Sequence, residues 1–349
     1  MAKSVKTDLF TRNFPEFTGK TIREVKNHLS KVIVVGIVKI KNEKFIPKLN
    51  VSEDYILKEK DRLVLLADEF AQTDPDKVSN PDLKTLTEPT PFEVSKKRSI
   101  SGIEKKILIL GWNHKIPALI KEFANYHEDQ YYVDIVSIRP AFLREKALAL
   151  IEIPTLNVQC RHIEADYVKE AEIKKIDPGR YDHIILVSTD KLEEDEEADA
   201  RTIVGYILLE EILSQSKKQP KILIELADPS NQSMMKRFER DVIVSPMILS
   251  HMLTQVALQR EMYYIYNQLF TVGGPEIAFK KPAAYGITQN KVTFQEIEQH
   301  ATAKQETAIG IYSTNLKLAN DDFHLLNPTR NYQLDLTMDY YIIVLTSIN

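Results

Sequence analysis

The sequence has little cysteine and little glycine. Of its 349 residues, one is cysteine, Cys160, and ten are glycine. A single cysteine excludes an internal disulfide and is typical of proteins from a reducing compartment. With so few glycines, elaborate glycine-rich loops around phosphate groups are not expected.

The sequence also lacks long apolar runs and an excess of basic residues. No run reaches the ~20 apolar residues that a membrane-spanning helix needs, and the N-terminal residues lack the apolar segment of a signal peptide. The net charge is −4 and the pI is about 6.1, so nothing indicates a nucleic-acid partner, for which a basic patch is typical. We therefore expect a soluble chain of two or three domains.

A polar stretch divides the chain. Residues 71–103 contain four prolines, many polar side chains and a short basic cluster, a composition that favours extended conformations. We interpret them as a linker between a small N-terminal domain, residues 1–70, and a larger remainder.

Residues 104–245 alternate between strand and helix patterns, which predicts βαβ units and a mostly parallel sheet. Most of the strands are continuously apolar, as a sheet covered on both faces requires. The predicted fold class is therefore α/β, a Rossmann-like doubly wound parallel sheet. The predicted strands are 107–110, 131–138, 156–162, 183–188, 221–226 and 241–245, and the helices between them are about 115–127, 141–151, 167–175, 195–215 and 230–238.

One long helix is predicted after the sheet, over residues 246–270, because the pattern begins at a proline and continues without a breaker. Its apolar residues spread over more than one face. Two interpretations remain: a helix buried in the core of one subunit, or a helix that packs against a second copy. The second predicts a homo-oligomer, a dimer or a higher assembly, formed through residues 246–267. The apolar residues are Met247, Ile248, Met252, Leu253, Val256, Leu258, Met262 and Tyr263.

The two ends of the chain repeat one pattern, which predicts that residues 271–349 form a second small α+β domain like the first. Each copy reads as a short helix, a strand, a loop with Pro47 or Pro328, and a final strand. The matches are Thr21, Glu24 and His28 with Thr293, Glu296 and His300, then Gly36 and Ile37 with Gly310 and Ile311, and Asp61 with Asp339.

The order of these parts resembles the RCK domains that regulate potassium channels and the related TrkA-type transport subunits. "GKTIREV" and "DRLVLLA" in the first small domain are similar to the C-terminal subdomain of that family, and residues 104–245 to its Rossmann-like N-terminal subdomain. Within the family, "LILGWN", "DARTIV" and "VSPMILSHMLTQVA" are similar to the plant CASTOR/POLLUX cation channels and their bacterial relatives.

The resemblance implies a function and partners. Such channels carry a pore followed by two tandem units, and this chain matches the small subdomain of the first unit and all of the second. It implies a non-enzymatic cytoplasmic gating-ring module of a cation channel or transporter, with potassium as the expected ion. The module would sense a small ligand or a divalent ion and act on a membrane pore domain in the same or a partner chain. Whether the chain is a fragment or a free-standing subunit stays open.

The nucleotide fingerprint of the Rossmann-like region is degraded. Its three glycine positions hold Gly111, Asn113 and Ile116, although the second glycine normally lets the backbone approach a pyrophosphate and the third permits close packing. The second strand ends at Arg139 rather than at the usual ribose-binding acid. We therefore expect that NAD is not bound in the ordinary way, and that the strand–turn–helix is kept because the sheet needs it.

A different small ligand remains possible at this turn, held by the backbone N–H groups of residues 112–115. The predicted ligand-binding residues are Gly111, Trp112, Asn113, His114, Arg139, Asp166 and Ser188. Of these, Arg139 could meet a phosphate, and Asp166 lies where relatives have an acid. The alternative interpretation is a purely structural turn capped by Asn113.

The most acidic stretch, residues 190–204, leaves Ca²⁺ open as a ligand because clustered carboxylates bind it. It lacks the spacing of an EF-hand, and acids at the start of a helix are favoured by the helix dipole alone. No nucleophile–base pair and no other metal site is evident, so an enzyme is not expected. Two alternatives to the regulatory module remain: an NAD(H)-dependent oxidoreductase, and a scaffold that has lost ligand binding.

Overall fold

A computed structural model describes residues 7–76, 102–127, 129–152, 157–189, 195–235, 241–318 and 323–347. The chain divides into two compact units, Lys96–Thr254 on one side and Met1–Ser95 with Gln255–Asn349 on the other. The first unit holds the predicted Rossmann-like domain. The second unit holds both small domains.

The Rossmann-like unit is built on six parallel strands in the order β10-β9-β8-β5-β6-β7. This order confirms the predicted doubly wound sheet, in which β5 is the central strand at which the winding reverses. The strands are β5 (Glu104–Leu110), β6 (Gln130–Ser137), β7 (Val158–Glu164), β8 (His183–Leu186), β9 (Lys221–Leu226) and β10 (Asp241–Val244). The helices are α2 (Ile116–Asn125), α3 (Ala141–Ala149), α4 (Glu170–Ile176), α5 (Asp195–Leu213) and α6 (Gln232–Met235). The end of the helix predicted over 230–238 lies outside the described residues.

Both faces of this sheet are buried, because successive residues of a strand point to opposite faces. Ile107 and Ile109 of β5 belong to the core under α2, with Trp112 and Ile120. Leu108 and Leu110 belong to the opposite core, formed largely with α4 and α5. The continuously apolar strands of the sequence are explained by this double coverage.

The two small domains share one strand order. The first domain forms a sheet in the order β1-β4-β2-β3 and the second a sheet in the order β11-β16-β13-β14, both antiparallel throughout. The first comprises β1 (Asp8–Asn13), α1 (Ile22–Lys26), β2 (Ile33–Lys41), β3 (Lys44–Leu49) and β4 (Arg62–Ala67). The second comprises β11 (Pro275–Lys280), β12 (Lys291–Thr293), α9 (Phe294–Ala303), β13 (Thr307–Ser313), β14 (His324–Leu326), β15 (Gln333–Asp335) and β16 (Tyr340–Ser347).

Local details of the repeat agree as well. Thr21 and Thr293 each form a capping box at the start of the helix, with Glu24 and Glu296, which satisfies two backbone donors. Gly36 and Gly310 each follow a β-bulge. A side chain there would meet the neighbouring strand, because a Cβ would lie 2.6 Å from the carbonyl oxygen of Lys48 at Gly36 and 2.5 Å from that of Leu325 at Gly310.

Two of the predicted matches in the repeat are wrong. The strand register pairs Gly36 with Val64 and Gly310 with Ile343, and counting back from these pairs aligns Asp61 with Tyr340 rather than with Asp339. Pro47 lies inside β3, whereas Pro328 follows β14. Sequence alignment alone does not fix strand register, which depends on the paired backbone.

The helix predicted over 246–270 is two helices, α7 (Ser245–Leu258) and α8 (Met262–Leu269). The break is held by buried Glu261, whose carboxylate accepts hydrogen bonds from Thr11 Oγ1 at 2.7 Å and from Arg62 Nη1 at 2.7 Å. Gln259 Oε1 accepts from the N–H of Thr11 at 3.1 Å. These tertiary contacts with the first small domain have no signature in the local sequence.

Candidate functional site

The turn after β5 requires glycine at its first position. Gly111 has φ +106°, and a Cβ there would lie 2.4 Å from the carbonyl oxygen of Val187. Val187 directly follows β8, and its N–H donates to the carbonyl oxygen of Leu110 at 2.9 Å. The close approach of β8 therefore accounts for Gly111 without any ligand.

Asn113 fills the crevice between the carboxyl ends of β5 and β8, the place where ligands of open α/β sheets bind. Its side chain is 1% exposed. Nδ2 donates to the carbonyl oxygen of Ser188 at 2.9 Å and to Glu225 Oε2 at 3.2 Å, and Oδ1 accepts from the N–H of Lys115 at 3.0 Å. Asn113 thus joins the turn to Ser188, another of the predicted ligand-binding residues, and takes up a backbone donor that an anion would use.

The sequence patterns did not identify Glu225 as a candidate functional residue. Its carboxylate, near the end of β9, accepts hydrogen bonds from Asn113, from Lys115 Nζ and from the hydroxyl of Ser245, the first residue of α7. Its side chain is 13% exposed. The available signal was a single acid inside the otherwise apolar strand "KILIEL". Glu225 therefore joins the β5–α2 turn to the start of α7.

Trp112 and Arg139 meet on the other side of β5. Trp112 is 3% exposed, and the Arg139 guanidinium lies 6.0 Å from the centroid of its ring. Arg139 Nε is buried without a hydrogen-bond partner among the described residues. The His162 ring lies 6.1 Å from the Trp112 ring, and its Nδ1 is likewise buried and unpartnered there. Unpaired buried donors and acceptors of this kind are uncommon and mark candidate ligand positions.

The backbone that carries Arg139 is held by a buried arginine. Arg144 of α3 is fully buried and donates to three carbonyl oxygens, those of Arg139 at 2.9 Å, Ile135 at 2.7 Å and Ile163 at 3.1 Å. Burial lowers the pKa of Arg144. Burial, and then the nearby charge of Arg144, also lower the pKa of His162. The guanidinium groups of Arg139 and Arg144 therefore lie at the ends of β6 and β7, where the carboxylate of Glu164 partly offsets their charge.

Asp166 belongs to a different set of contacts. Its Oδ1 accepts from Arg201 Nη2 at 2.5 Å, and the Arg201 guanidinium lies 5.7 Å from the Tyr167 ring centroid. Among the described contacts, Asp166 has none with the Gly111 turn. His114 is exposed within that turn. The structure thus groups Gly111, Asn113 and Ser188, and separately Trp112 and Arg139.

The acidic stretch is only partly described, since residues 190–194 lie outside the described ranges. Within it, fully buried Asp199 accepts hydrogen bonds from the N–H groups of Ala227 and Asp228 at 2.8 Å and from Asn231 Nδ2 at 3.0 Å. Its oxygens therefore order the loop after β9. Among the described residues, no group of three or more His, Cys, Asp or Glu side chains is placed to hold a metal ion.

No helix in the described part of the chain combines the length and the apolar character needed to span a membrane. The family described as "Castor and Pollux, part of voltage-gated ion channel" matches residues 3–82. Nearly the whole chain, 97%, aligns at 22% identity with "Probable ion channel POLLUX" of Arabidopsis thaliana, and 92% aligns at 21% identity with "Ion channel CASTOR" of Lotus japonicus. This chain is similar to the CASTOR/POLLUX ion channels. It spans 44% and 40% of the lengths of those two relatives.

A solved structure shares the fold of this chain. The human SLO3 gating ring superposes with a TM-score of 0.64 at 11% identity, covering 98% of this chain and 67% of that chain. At this identity the likeness concerns the fold. The resemblance to RCK domains inferred from the sequence is confirmed at that level.

Proposed function

We propose that this chain is a cytoplasmic regulatory module, of the gating-ring type, of a cation channel or transporter. The expected ion is potassium, and the module acts at the cytoplasmic face of the membrane on a pore domain of the same or a partner chain. The observation that carries the proposal is the alignment of 97% of the chain with a protein named as an ion channel. A module of this type is a sensor rather than an enzyme, and it needs a ligand site and a subunit interface.

The proposed ligand is a small anion. Arg139 has no ion-pair partner among the described residues, and it lies over the face of Trp112 beside His162. Guanidinium groups bind phosphate and carboxylate oxygens in paired hydrogen bonds. On this proposal Trp112 and Arg139 bind the ligand, while Gly111, Asn113, His114 and Ser188 shape the neighbouring turn, and Asp166 orients Arg201.

A dinucleotide does not suit this arrangement. Its pyrophosphate would lie at the crevice that Asn113 fills, and displacing Asn113 would break its hydrogen bonds to Ser188 and Glu225. A buried amide or carboxylate left without a partner costs about 1–3 kcal/mol. The same contacts argue against the oxidoreductase alternative. Ca²⁺ stays open only for the acidic stretch that includes residues outside the described ranges.

The proposed interface is the exposed apolar face of α7, and its proposed occupant is a second copy of the chain. No residue of α7 is buried, and five of its large apolar side chains are exposed. A symmetric pair of copies would cover this face, since the same patch on each copy meets its mate. Those side chains are Met247 at 43%, Ile248 at 50%, Leu249 at 58%, Leu253 at 61% and Leu258 at 76% exposed.

Glu225 supplies the proposed connection between site and interface. One carboxylate binds Asn113 and Lys115 of the turn and Ser245 at the start of α7. A ligand that shifts the turn changes these hydrogen bonds, and the change reaches α7 through two residues. Such a contiguous contact is what coupling between two sites needs physically.

Ligand binding can be tested through Trp112, because it is the only tryptophan in the sequence. Its fluorescence is followed during titration with AMP, ATP, inorganic phosphate, NAD, NADH and Ca²⁺. We expect a saturable change with AMP or ATP that Arg139→Gln weakens at least about tenfold, roughly 1.4 kcal/mol. Lys121→Gln, which removes an exposed cation on α2, is the matched control and should leave the titration unchanged.

Two outcomes contradict the proposal. If no anion changes the fluorescence, or if Arg139→Gln responds like the wild type, the anion site is wrong. If NAD or NADH binds stoichiometrically with a Kd below about 10 μM, roughly −7 kcal/mol, the crevice accepts a dinucleotide despite Asn113.

A further inference from the structure

The two small domains meet through contacts that repeat about a pseudo-twofold axis. Asn50 Nδ2 donates to the carbonyl oxygen of Gln305 at 2.5 Å, and Asn327 Nδ2 donates to the carbonyl oxygen of Lys31 at 3.1 Å. Asn50 and Asn327 are equivalent, since each directly follows the paired strand and has positive φ. Lys31 and Gln305 are equivalent too, since each lies five residues before the bulge glycine.

The apolar part of this junction follows the same symmetry. Val35 and Val64 of the first domain share one core with Ile309 and Ile343, their equivalents in the second. Contacts of the same kind are therefore made from both sides. The same contacts would stabilise a pair of two first domains, or a pair of two second domains, as well as they stabilise the pair of one first and one second domain.

One pair of charges breaks the symmetry. In the first domain Lys26 Nζ lies 2.7 Å from Glu53 Oε1, and in the second Arg330 Nε lies 3.5 Å from Glu298 Oε2. Lys26 and Glu298 are equivalent, each five residues after the capping threonine, and Glu53 and Arg330 are equivalent, each three residues after the asparagine. The same two positions form an ion pair in both domains, with the signs exchanged.

These four charges lie close to one another across the junction. Arg330 Nη2 donates to the carbonyl oxygens of Lys26 at 3.0 Å and Leu29 at 3.2 Å. The side chains of Lys26, Glu53, Glu298 and Arg330 are 20%, 19%, 18% and 15% exposed, so solvent screens them only in part. Burial raises the pKa of Glu298. The positive charges of Arg330 and then of Lys26 oppose this rise, and the negative charge of Glu53 adds to it more weakly.

We propose that the exchanged signs at positions 26 and 298 make the first small domain complementary to the second and not to another copy of itself. In the mixed pair Lys26 faces Glu298. In a pair of two first domains Lys26 would face Lys26, and in a pair of two second domains Glu298 would face Glu298. Like charges brought together this way select against the wrong partner. An assembly of several copies would therefore join small domains only in unlike pairs.

The test is a charge-reversal cycle in the full chain at pH 8. Amide hydrogen exchange is measured in β2 and β13 for four proteins: the wild type, Lys26→Glu with Glu53→Lys, Glu298→Lys with Arg330→Glu, and the variant with all four changes. Each paired change keeps the ion pair within its own domain and reverses only the charges that face the other domain. We expect each paired variant to lower protection about tenfold, and the fourfold variant to lose at least about threefold less protection than the product of the two losses. Protection of β5, in the other unit, should stay constant in all four proteins.

The neutral cycle of Lys26→Gln and Glu298→Gln covers the case in which a reversed charge prevents folding. In this cycle the double variant should lose about two- to fivefold less protection from exchange than the product of the two single losses. If the losses simply multiply in both cycles, positions 26 and 298 do not interact across the junction and the proposal is wrong. Reversing Glu170 and Lys174, an exposed pair on α4, is the matched control and should change nothing.

Discussion

The exchange of Leu249 and Leu253 for aspartate should convert the chain to a monomer. Both leucines lie on the exposed face of α7, at 58% and 61% exposure. Met252 and Val256, which the sequence also placed on this helix, are half-buried, and Val256 packs against the core of the small domains. The two leucines therefore test the surface without disturbing a core.

The expected effect is large because the interface is symmetric. Burying a whole leucine side chain contributes about 1.5–3 kcal/mol, so the exposed part of each leucine contributes roughly 1–2 kcal/mol. Two leucines in each of two copies contribute roughly 4–8 kcal/mol, or about three to six powers of ten in Kd. The four aspartates add a desolvation cost to this loss.

Light scattering over roughly 1–100 μM chain measures the mass, and circular dichroism checks the fold. We expect an oligomer for the wild type and a folded monomer for the double variant. The matched control is Phe142→Asp with Leu150→Asp, two side chains of α3 and its C-terminal end that are 66% and 81% exposed, which should remain oligomeric. A monomeric wild type at about 100 μM, or a double variant that keeps the wild-type mass, would refute the reasoning.

Three smaller predictions concern the Rossmann-like unit. Gly111→Ala should lower its stability by about 3 kcal/mol in denaturant titration, because a side chain there meets the Val187 carbonyl in a strained conformation; an unchanged midpoint contradicts this. Burial raises the pKa of Cys160 to about 11, so iodoacetamide should react at pH 7.5 at least about a hundredfold more slowly than with a free cysteine, and a rate that levels off near pH 9 contradicts it. Burial and the charge of Arg144 lower the pKa of His162, so the imidazole binds a proton more readily in the unfolded chain than in the folded one. The free energy of unfolding should therefore be full above about pH 6.5 and fall as the pH drops below that value. His162→Phe should flatten this fall, and a pH profile identical to that of the wild type would contradict the prediction.

The order of elements was readable from the sequence because hydrophobic periodicity is a local signal. Continuous apolar runs such as "ILIL" before Gly111 identified the strands of a sheet covered on both faces. The repeat was readable because each copy keeps a capping threonine and a bulge glycine. Strand register was not, and the Asp61–Asp339 match was therefore off by one residue. The break between α7 and α8 was missed because Glu261 is held by Arg62 and Thr11, which are distant in sequence.

The candidate site was only half readable for the same reason. Fingerprint spacing pointed to Gly111 and Asn113, and strand ends pointed to Arg139 and Ser188. Glu225 was missed because its partners come from the turn and from α7, so its role depends on how three elements meet. Asp166 was grouped with the turn by analogy, although its strong partner is Arg201 on α5.

The central claim is that a ligand at Trp112 and Arg139 changes how two copies sit against each other across α7. Spin labels at Thr254→Cys in a Cys160→Ser background measure the distance between copies directly. We predict that AMP, at a concentration that saturates the Trp112 signal, shifts the mean distance by at least about 2 Å, the scale of helix shifts at subunit interfaces. Identical distance distributions with and without AMP, or no distance between copies at all, would contradict the account.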